Sequence, residues 1–193
     1  MDTDPQDHTD MAALVAGEDF ALNRLMDRHS QPLFHYLIRL LQNEAEAGDL
    51  AQETFVRVYQ HRDRFQPRSK FSTWLYAIAT NLARDRFRWR ERHPNVSLDA
   101  NDSDDTPDST RDLPDGKAAP DACLLASERA AAVRDAVGAL PDDLRTPLVL
   151  AEYEGRSHAE IAEITGGTTK AVEMRLYHAR QKLRERLGPL LAV

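Results

Sequence analysis

The sequence has a single cysteine, Cys123, and no hydrophobic run that approaches the roughly 18 residues needed to cross a bilayer. One cysteine cannot form an intramolecular disulfide, and no group of cysteine and histidine residues has the spacing of a zinc site. The first ten residues are acidic and polar, unlike the basic and apolar start of a signal peptide. We therefore expect a cytoplasmic protein without membrane insertion, metal or cofactor.

Catalytic patterns are missing as well. The sequence contains no Ser/His/Asp arrangement, no phosphate-binding loop and no metal motif. An enzyme that acts on nucleic acid would need carboxylates or histidines clustered on ordered elements. Most of the clustered acids lie instead in one polar segment, between residues 99 and 121. The sequence therefore predicts a protein that is not an enzyme.

Strand-like alternation of Val, Ile and Thr is scarce, whereas apolar residues recur at spacings of three and four. This periodicity predicts an all-α protein. Pro32 is expected to kink or split the second helix. Pro147 either bends its helix or restarts it with Thr146 as N-cap. The expected helices lie near Met11–Ala16, Asp19–Gln42, Ala45–His61, Ser72–Glu91, Cys123–Leu140, Asp142–Tyr153, His158–Ile164 and Thr169–Leu187.

The formal net charge of -7 conceals two opposed blocks of charge. Residues 57–92 contain ten Arg or Lys and only three acids, whereas residues 99–121 contain eight Asp and only two basic residues. The acidic stretch also lacks apolar periodicity, so it predicts a flexible linker at 94–121. Two small helical domains are then expected, at 10–93 and 122–193. Charge asymmetry of this kind indicates a binding partner.

The C-terminal half contains the pattern of a helix-turn-helix. Ser157 and Glu160 have the spacing of a capping box, and the pair Gly166-Gly167 supplies a tight turn. In the following helix Val172 and Leu176 would face the core. The opposite face mixes polar and basic residues, as a major-groove reading helix does. An ordinary helical hairpin with a solvated face is the alternative. The candidate DNA-reading residues of this helix are Thr169, Lys170, Glu173, Met174, Arg175, Tyr177 and His178.

The N-terminal half offers two further patterns. Asp49, Gln52 and Glu53 share one helical face, where the two acids repel each other by about 0.2–0.5 kcal/mol unless a basic partner is present. A plain solvated face is the alternative. Further along, basic and aromatic residues interleave, which suits single-stranded nucleic acid, although Trp74 by itself is more typical of a core. The basic candidates are Arg68, Lys70, Arg84 and Arg88. The interleaved aromatic residues are Phe65, Trp74, Tyr76, Phe87 and Trp89, around an expected buried stripe of Phe71, Leu75, Ile78 and Leu82.

Taken together, four segments resemble an extracytoplasmic-function sigma factor, the two-domain class of bacterial sigma factor. They are DLAQETF at 49–55, FSTWLYAIATN at 71–81, LPDDLR at 140–145 and the segment 157–180. The resemblance implies that Asp49, Gln52 and Glu53 dock on core RNA polymerase. It also implies that the loop from Phe65 to Ser72 holds a base flipped from the −10 element, at a cost of a few kcal/mol. Asn81, Arg84 and Arg88 would lie beside the melted strand, and the helix that starts at Thr169 would read the duplex −35 element.

The implied function is promoter-specific transcription initiation with core RNA polymerase, and an anti-sigma factor is a further expected partner. The linker either imitates phosphates in polymerase channels or simply tethers the domains. Glu173 and His178 stand where many relatives carry basic residues, and Ala151 replaces a frequent arginine. The −35 sequence therefore either differs from the commonest one or is read more weakly. A free-standing regulator that dimerises on an operator is the competing hypothesis, but it leaves both N-terminal patterns unexplained.

Overall fold

The computed structural model describes residues 5–93 and 120–191, with side chains described for 5–93 and 128–188. All regular structure within these ranges is helical, which confirms the all-α prediction. The predicted linker lies outside the described residues except at its end, and so does the side chain of Cys123. A short 3-10 helix spans Arg62–Arg64. The α-helices are α1 (Pro5–Val15), α2 (Phe20–Leu41), α3 (Glu44–Gln60), α4 (Phe71–Arg92), α5 (Pro120–Gly138), α6 (Asp142–Glu152), α7 (His158–Thr165) and α8 (Thr169–Leu191).

Helix α2 is the centre of the N-terminal helices and packs against α1, α3 and α4. Its apolar residues recur at helical spacing, so that Leu25, Tyr36 and Leu40 are fully buried. The expected split at Pro32 does not occur, since α2 continues from Phe20 to Leu41. Packing on both sides of the proline outweighs the one hydrogen bond that its missing N–H removes.

Helix α1 begins at Pro5, well before the expected start at Met11. The added turn carries Asp7 and Asp10, and both are almost completely buried. Carboxylates are rarely buried unless they are paired, and here Arg28 of α2 donates hydrogen bonds to both. Apolar periodicity alone misses this turn because its partners are charged residues of another helix.

Helix α4 buries a face that differs from the expected stripe. Phe71 and Leu75 are buried as predicted, but Ile78 and Leu82 are only half-buried. Tyr76, Ala79, Thr80 and Ala83 are buried as well. The physical reason is that α4 packs against α7 as well as against α2 and α3, so its covered surface is wider and rotated.

The C-terminal helices form the predicted helix-turn-helix. Ser157 caps α7 with both hydrogen bonds of the capping box to Glu160, and Gly166 ends that helix in the left-handed conformation at φ 71°. Thr168 then caps α8, since its hydroxyl accepts from the N–H of Ala171 at 3.2 Å. Helix α6 runs through Pro147 without restarting at Thr146, because it already begins at Asp142.

The N- and C-terminal helices pack on each other. Helix α6 lies against α2, and α7 lies against α4. Arg145 of α6 donates to the carbonyl oxygen of Leu40 at the end of α2, and its guanidinium lies over the ring of Phe87. The helix-turn-helix is therefore seated directly on the helix that carries most of the basic and aromatic candidates.

Candidate nucleic-acid interface

Helix α8 separates into a buried face and an exposed one. Val172, Leu176 and Ala179 are buried in the core, as their spacing predicts. On the other side Met174 and Tyr177 are 51% and 63% exposed. We call the exposed side the recognition face. Its members are Thr169, Lys170, Glu173, Met174, Arg175, Tyr177 and His178, all exposed except the half-buried Arg175.

The recognition face carries one acid, Glu173, and a second acid, Glu152, lies next to it. Glu173 Oε1 is 3.8 Å from His158 Nδ1, which is a loose contact between two exposed side chains. Glu152 accepts from Arg180 at 2.7 Å. The remaining carboxylate oxygen of Glu173 is free to accept a hydrogen bond, because the described contact engages only Oε1. The recognition face therefore offers both donors and an acceptor to a ligand.

The second surface lies on α3, and we call its three residues, Asp49, Gln52 and Glu53, the docking face. Asp49 and Gln52 are exposed, and Glu53 is half-buried. Behind them Phe55 and Val58 are buried in the core. Arg57 donates to Glu53 at 2.6 Å, so an internal partner already relieves the expected repulsion between Glu53 and Asp49. Asp49 remains the exposed acid at the centre of the face.

The segment between the 3-10 helix and α4 is built around three aromatic rings. The ring centroid of Phe65 is 5.4 Å from that of Trp74 and 6.2 Å from that of Phe71. Phe71 is buried, whereas Phe65 and Trp74 are half-buried. Trp74 is therefore not a fully buried core residue, as its type alone would suggest. It packs on the core and still borders solvent. Arg68 is exposed at the tip of the same segment.

Asn81 and Arg88 are exposed on α4, with Arg84 half-buried between them. Together with Phe65, Arg68, Lys70 and Trp74 they form what we call the basic–aromatic surface. Its positive charge is partly balanced, since Arg88 lies 3.6 Å from Asp85. The neighbouring Arg86 and Arg90, outside this surface, both pair with Glu46 of α3.

Three of the interleaved aromatic residues do not belong to this surface. Tyr76 is buried, and its ring meets the ring of Tyr36 edge-on at 4.9 Å. Phe87 is half-buried under Arg145, and Trp89 stacks on His93 at 4.8 Å. The suggestion that these rings meet unstacked bases is wrong for Tyr76. Tyr76 lies on the side of α4 that packs against other helices, so its ring is covered by protein.

Helix α7 occupies part of the basic–aromatic surface. Lys70 Nζ donates to Glu160 at 2.8 Å, and Arg84 donates to the carbonyl oxygen of Thr165 at 3.3 Å. Ser69 also donates to Glu163 at 3.3 Å. Lys70 and Arg84, which the sequence assigns to DNA, are thus both held by α7. Lys70 binds an acidic side chain of this helix, and Arg84 binds a carbonyl oxygen at its end.

Two residues that sequence reasoning missed complete this contact. Glu154 accepts from the hydroxyl of Tyr76 at 2.6 Å, and Arg156 donates to Ser72 at 2.9 Å while its guanidinium lies over the Tyr76 ring. Burial and the neighbouring Glu154 raise the pKa of Tyr76, so its hydroxyl stays a hydrogen-bond donor. No local pattern identifies such residues, because their partners are far away in the chain.

Glu160 is held by Lys70 and by its own capping box. Burial alone would raise the pKa of Glu160, but hydrogen bonds from Lys70 and from the backbone and hydroxyl of Ser157 lower it from 4.5 to about 2. The carboxylate therefore stays charged through the physiological range. It links the start of α7 to the start of α4.

We expect Glu160→Gln to lower the free energy of unfolding by about 1 kcal/mol near neutral pH, since it removes an ion pair and weakens a cap. Because the folded pKa lies below the ordinary value, this contribution is complete above about pH 4.5 and is lost as the pH falls toward 2. Urea unfolding followed by circular dichroism across this range measures the difference. Glu18→Gln, at an exposed acid, is the control. A difference for Glu160→Gln that did not change with pH would contradict this assignment.

Within the described part of the chain, no three His, Cys, Asp or Glu residues are grouped so that they could hold a metal ion. Among the same residues, no helix is both long enough and apolar enough to cross a bilayer.

Comparison with known proteins gives two family matches and close relatives. The sigma-70 region 2 family matches residues 25–93, and the sigma-70 region 4 family matches residues 130–183. RNA polymerase sigma-H factor of Pseudomonas aeruginosa is 32% identical over 192 residues, which cover 98% of this chain and 97% of the relative. The ECF RNA polymerase sigma factor SigW of Bacillus subtilis is 34% identical over 176 residues, which cover 90% of this chain and 92% of that relative. Among solved structures, CnrH in complex with the cytosolic domain of CnrY has a TM-score of 0.69 and 26% identity, covering 96% of this chain and 99% of that chain.

Proposed function

Since the chain belongs to the extracytoplasmic-function (ECF) family of bacterial RNA polymerase sigma factors, we propose that its three surfaces divide the work of promoter-specific transcription initiation. The docking face binds core polymerase, the basic–aromatic surface binds the melted −10 strand, and the recognition face reads the −35 duplex. The observation that carries this proposal is the exposed side of α8, where Met174 and Tyr177 lie in solvent among basic and polar residues directly after a glycine turn.

The division of the chain follows from the same proposal. Residues 10–93 form the domain for polymerase docking and −10 melting, and residues 122–193 form the −35 domain, with the acidic linker 94–121 between them. The matches to regions 2 and 4 fall on either side of that linker. On the promoter, Lys70 and Arg84 exchange their contacts with α7 for contacts with phosphates. The separation of the two domains is thus part of promoter binding.

The protein acts without chemistry of its own, in the cytoplasm, where polymerase and promoter DNA are its partners. CnrH is bound in its structure by the cytosolic domain of another protein. We propose that this chain is likewise bound by another protein, an anti-sigma factor that covers the polymerase- and DNA-binding surfaces.

Run-off transcription with core polymerase across a randomised promoter library tests the proposal. The expected result is transcription that starts downstream of two shared sequence elements, one at −35 and one at −10, and that requires the added protein. Tight, specific binding of an operator by the purified chain as a dimer, without polymerase, would instead support a free-standing regulator.

Glu173 gives the recognition face its one carboxylate, and a carboxylate in the major groove accepts from the amino group of cytosine. We expect Glu173→Gln to reduce the preference for cytosine at a single −35 position by about tenfold to a hundredfold. Sequencing of transcripts from the randomised library measures this preference. The control is Glu185→Gln, which changes an exposed acid farther along the same helix. Unchanged preference at every −35 position would show that Glu173 does not contact a base.

A further inference from the structure

Helix α1 lies against the 3-10 helix that precedes Phe65. The ring centroid of His8 is 5.5 Å from that of Phe65, and the ring centroid of His29 is 5.1 Å from that of Phe71. Phe65 begins and Phe71 nearly ends the Phe65–Ser72 segment, which belongs to the proposed −10 surface and which the family resemblance assigns to the flipped base. Both ends therefore rest on histidine rings supplied by α1 and α2.

Buried ion pairs fix α1 on α2. Arg28 Nη2 lies 2.9 Å from Asp7 Oδ1 and 2.7 Å from Asp10 Oδ2, and His29 Nε2 lies 2.9 Å from Asp7 Oδ2. Arg24 adds a second contact to Asp10 at 2.6 Å. Burial alone would raise the pKa of Asp7, but the hydrogen bonds and charges of His29 and Arg28 keep it below its ordinary value. Asp7 therefore stays ionised near neutral pH.

The geometry of this network determines where His8 points. A guanidinium is planar and binds carboxylates only in fixed directions, so Arg28 sets the rotation of α1 about its own axis. Asp7 and His8 are consecutive in that helix. Once Asp7 is turned toward Arg28 and His29, the ring of His8 is directed toward Phe65.

Phe65 needs a support of this kind. It follows the 3-10 helix in an extended conformation, with φ −65° and ψ 126°, and the next three residues are exposed. A ring that stacks on an unpaired base binds it best when the ring is already in place, because ordering the side chain at that moment reduces the affinity. Trp74 and Phe71 border the Phe65 ring on one side, and His8 contacts it from α1.

We propose that His8 is a positioning residue for promoter melting, whose ring holds Phe65 in the orientation that receives the flipped base. This rests on the proposed role of the Phe65–Ser72 segment. Among the described residues, His8 Nε2 has no hydrogen-bond partner. The ring contact is therefore the interaction that matters, and a phenyl ring can replace it.

The test uses the full chain with core polymerase and promoters that carry single 2-aminopurine substitutions across the −10 element. We expect the wild-type fluorescence to rise at the flipped position and Phe65→Ala to abolish that rise. We expect His8→Ala to reduce it and to weaken the base preference at that position by about tenfold in a randomised −10 library. His8→Phe should restore both readouts. Thr9→Ala, at an exposed neighbour whose hydroxyl bonds the carbonyl of Pro5, should change neither.

The possible results separate the two claims. If Phe65→Ala leaves the fluorescence rise intact, the proposed role of the segment fails. If Phe65→Ala abolishes the rise but His8→Ala does not reduce it, only the role of His8 is overturned. A loss of transcription that is equal at all promoters, with base preference unchanged, would show that His8 merely stabilises the fold. Base preference is a ratio within one reaction, so it is independent of the folded fraction. If His8→Ala does not fold, His8→Leu fills the same space without a flat ring and should weaken the preference likewise.

Discussion

Asp49→Arg is expected to abolish promoter-dependent transcription while the helical content stays unchanged. Asp49 is exposed at the centre of the docking face, and it lies on an α-helix whose opposite side is buried. Placing an arginine there turns an attraction to a basic surface of polymerase into a repulsion. Reversal of a charge in such an interface costs about 2–5 kcal/mol, and the affinity for core polymerase should therefore fall at least about thirtyfold.

Co-purification with core polymerase and run-off transcription measure the two effects, and circular dichroism checks the fold. Asp27→Arg is a matched control, because Asp27 is exposed on α2 and the substitution makes the same change in net charge. We expect it to bind polymerase as the wild type does. If Asp49→Arg also bound normally, the docking face would have to be placed elsewhere, most directly on the exposed Val56 side of α3.

Much of the helix-turn-helix could be predicted because its determinants are local. The capping box needs only Ser157 and Glu160, three residues apart, and the turn needs only a glycine that tolerates a positive φ at 166. Each interaction closes within one helical turn, so spacing in the sequence is sufficient to identify it. The exposed and buried sides of α8 follow from the same periodicity.

The start of α1 could not be predicted in this way. Asp7 and Asp10 look like surface residues until Arg24, Arg28 and His29 are placed beside them, and those partners lie on another helix. Burial of a carboxylate is acceptable only when the pairing is nearly complete. Whether the two carboxylates are fully paired depends on how α1 and α2 pack. The periodicity of a single helix carries no information about that packing.

The contact between α4 and α7 is a second feature beyond the reach of the sequence. Lys70 and Arg84 were identifiable as members of a basic segment, and that segment predicts a negatively charged partner. In the structure, groups on α7 take the place expected for phosphate. The carboxylate of Glu160 binds Lys70, and a backbone carbonyl binds Arg84. The type of partner was predictable from charge, whereas its identity in the absence of DNA was not.

The double substitution Arg84→Glu/Arg88→Glu is expected to have a comparably large effect, on DNA binding rather than on polymerase binding. Both residues are proposed to contact phosphates of the melted strand, and each charge-assisted hydrogen bond contributes about 1.5–3 kcal/mol. Losing both should weaken open-complex formation at least about a hundredfold. The slope of log affinity against log salt concentration should also become shallower by about 0.7 for each lost phosphate contact. Filter binding of the holoenzyme to a promoter with a pre-melted −10 region, at several salt concentrations, measures both quantities.

Arg129→Glu/Arg134→Glu makes the same change in net charge at two exposed positions of α5, so it isolates the effect of position from that of overall charge. The control should keep the wild-type salt slope, because neither residue belongs to the basic–aromatic surface. Arg84 also leaves the carbonyl of Thr165 when it is replaced, which favours separation of α4 from α7 and would by itself promote DNA binding. A net loss of binding therefore shows that the phosphate contact outweighs the contact with α7. Wild-type affinity with an unchanged salt slope would remove α4 from the DNA interface.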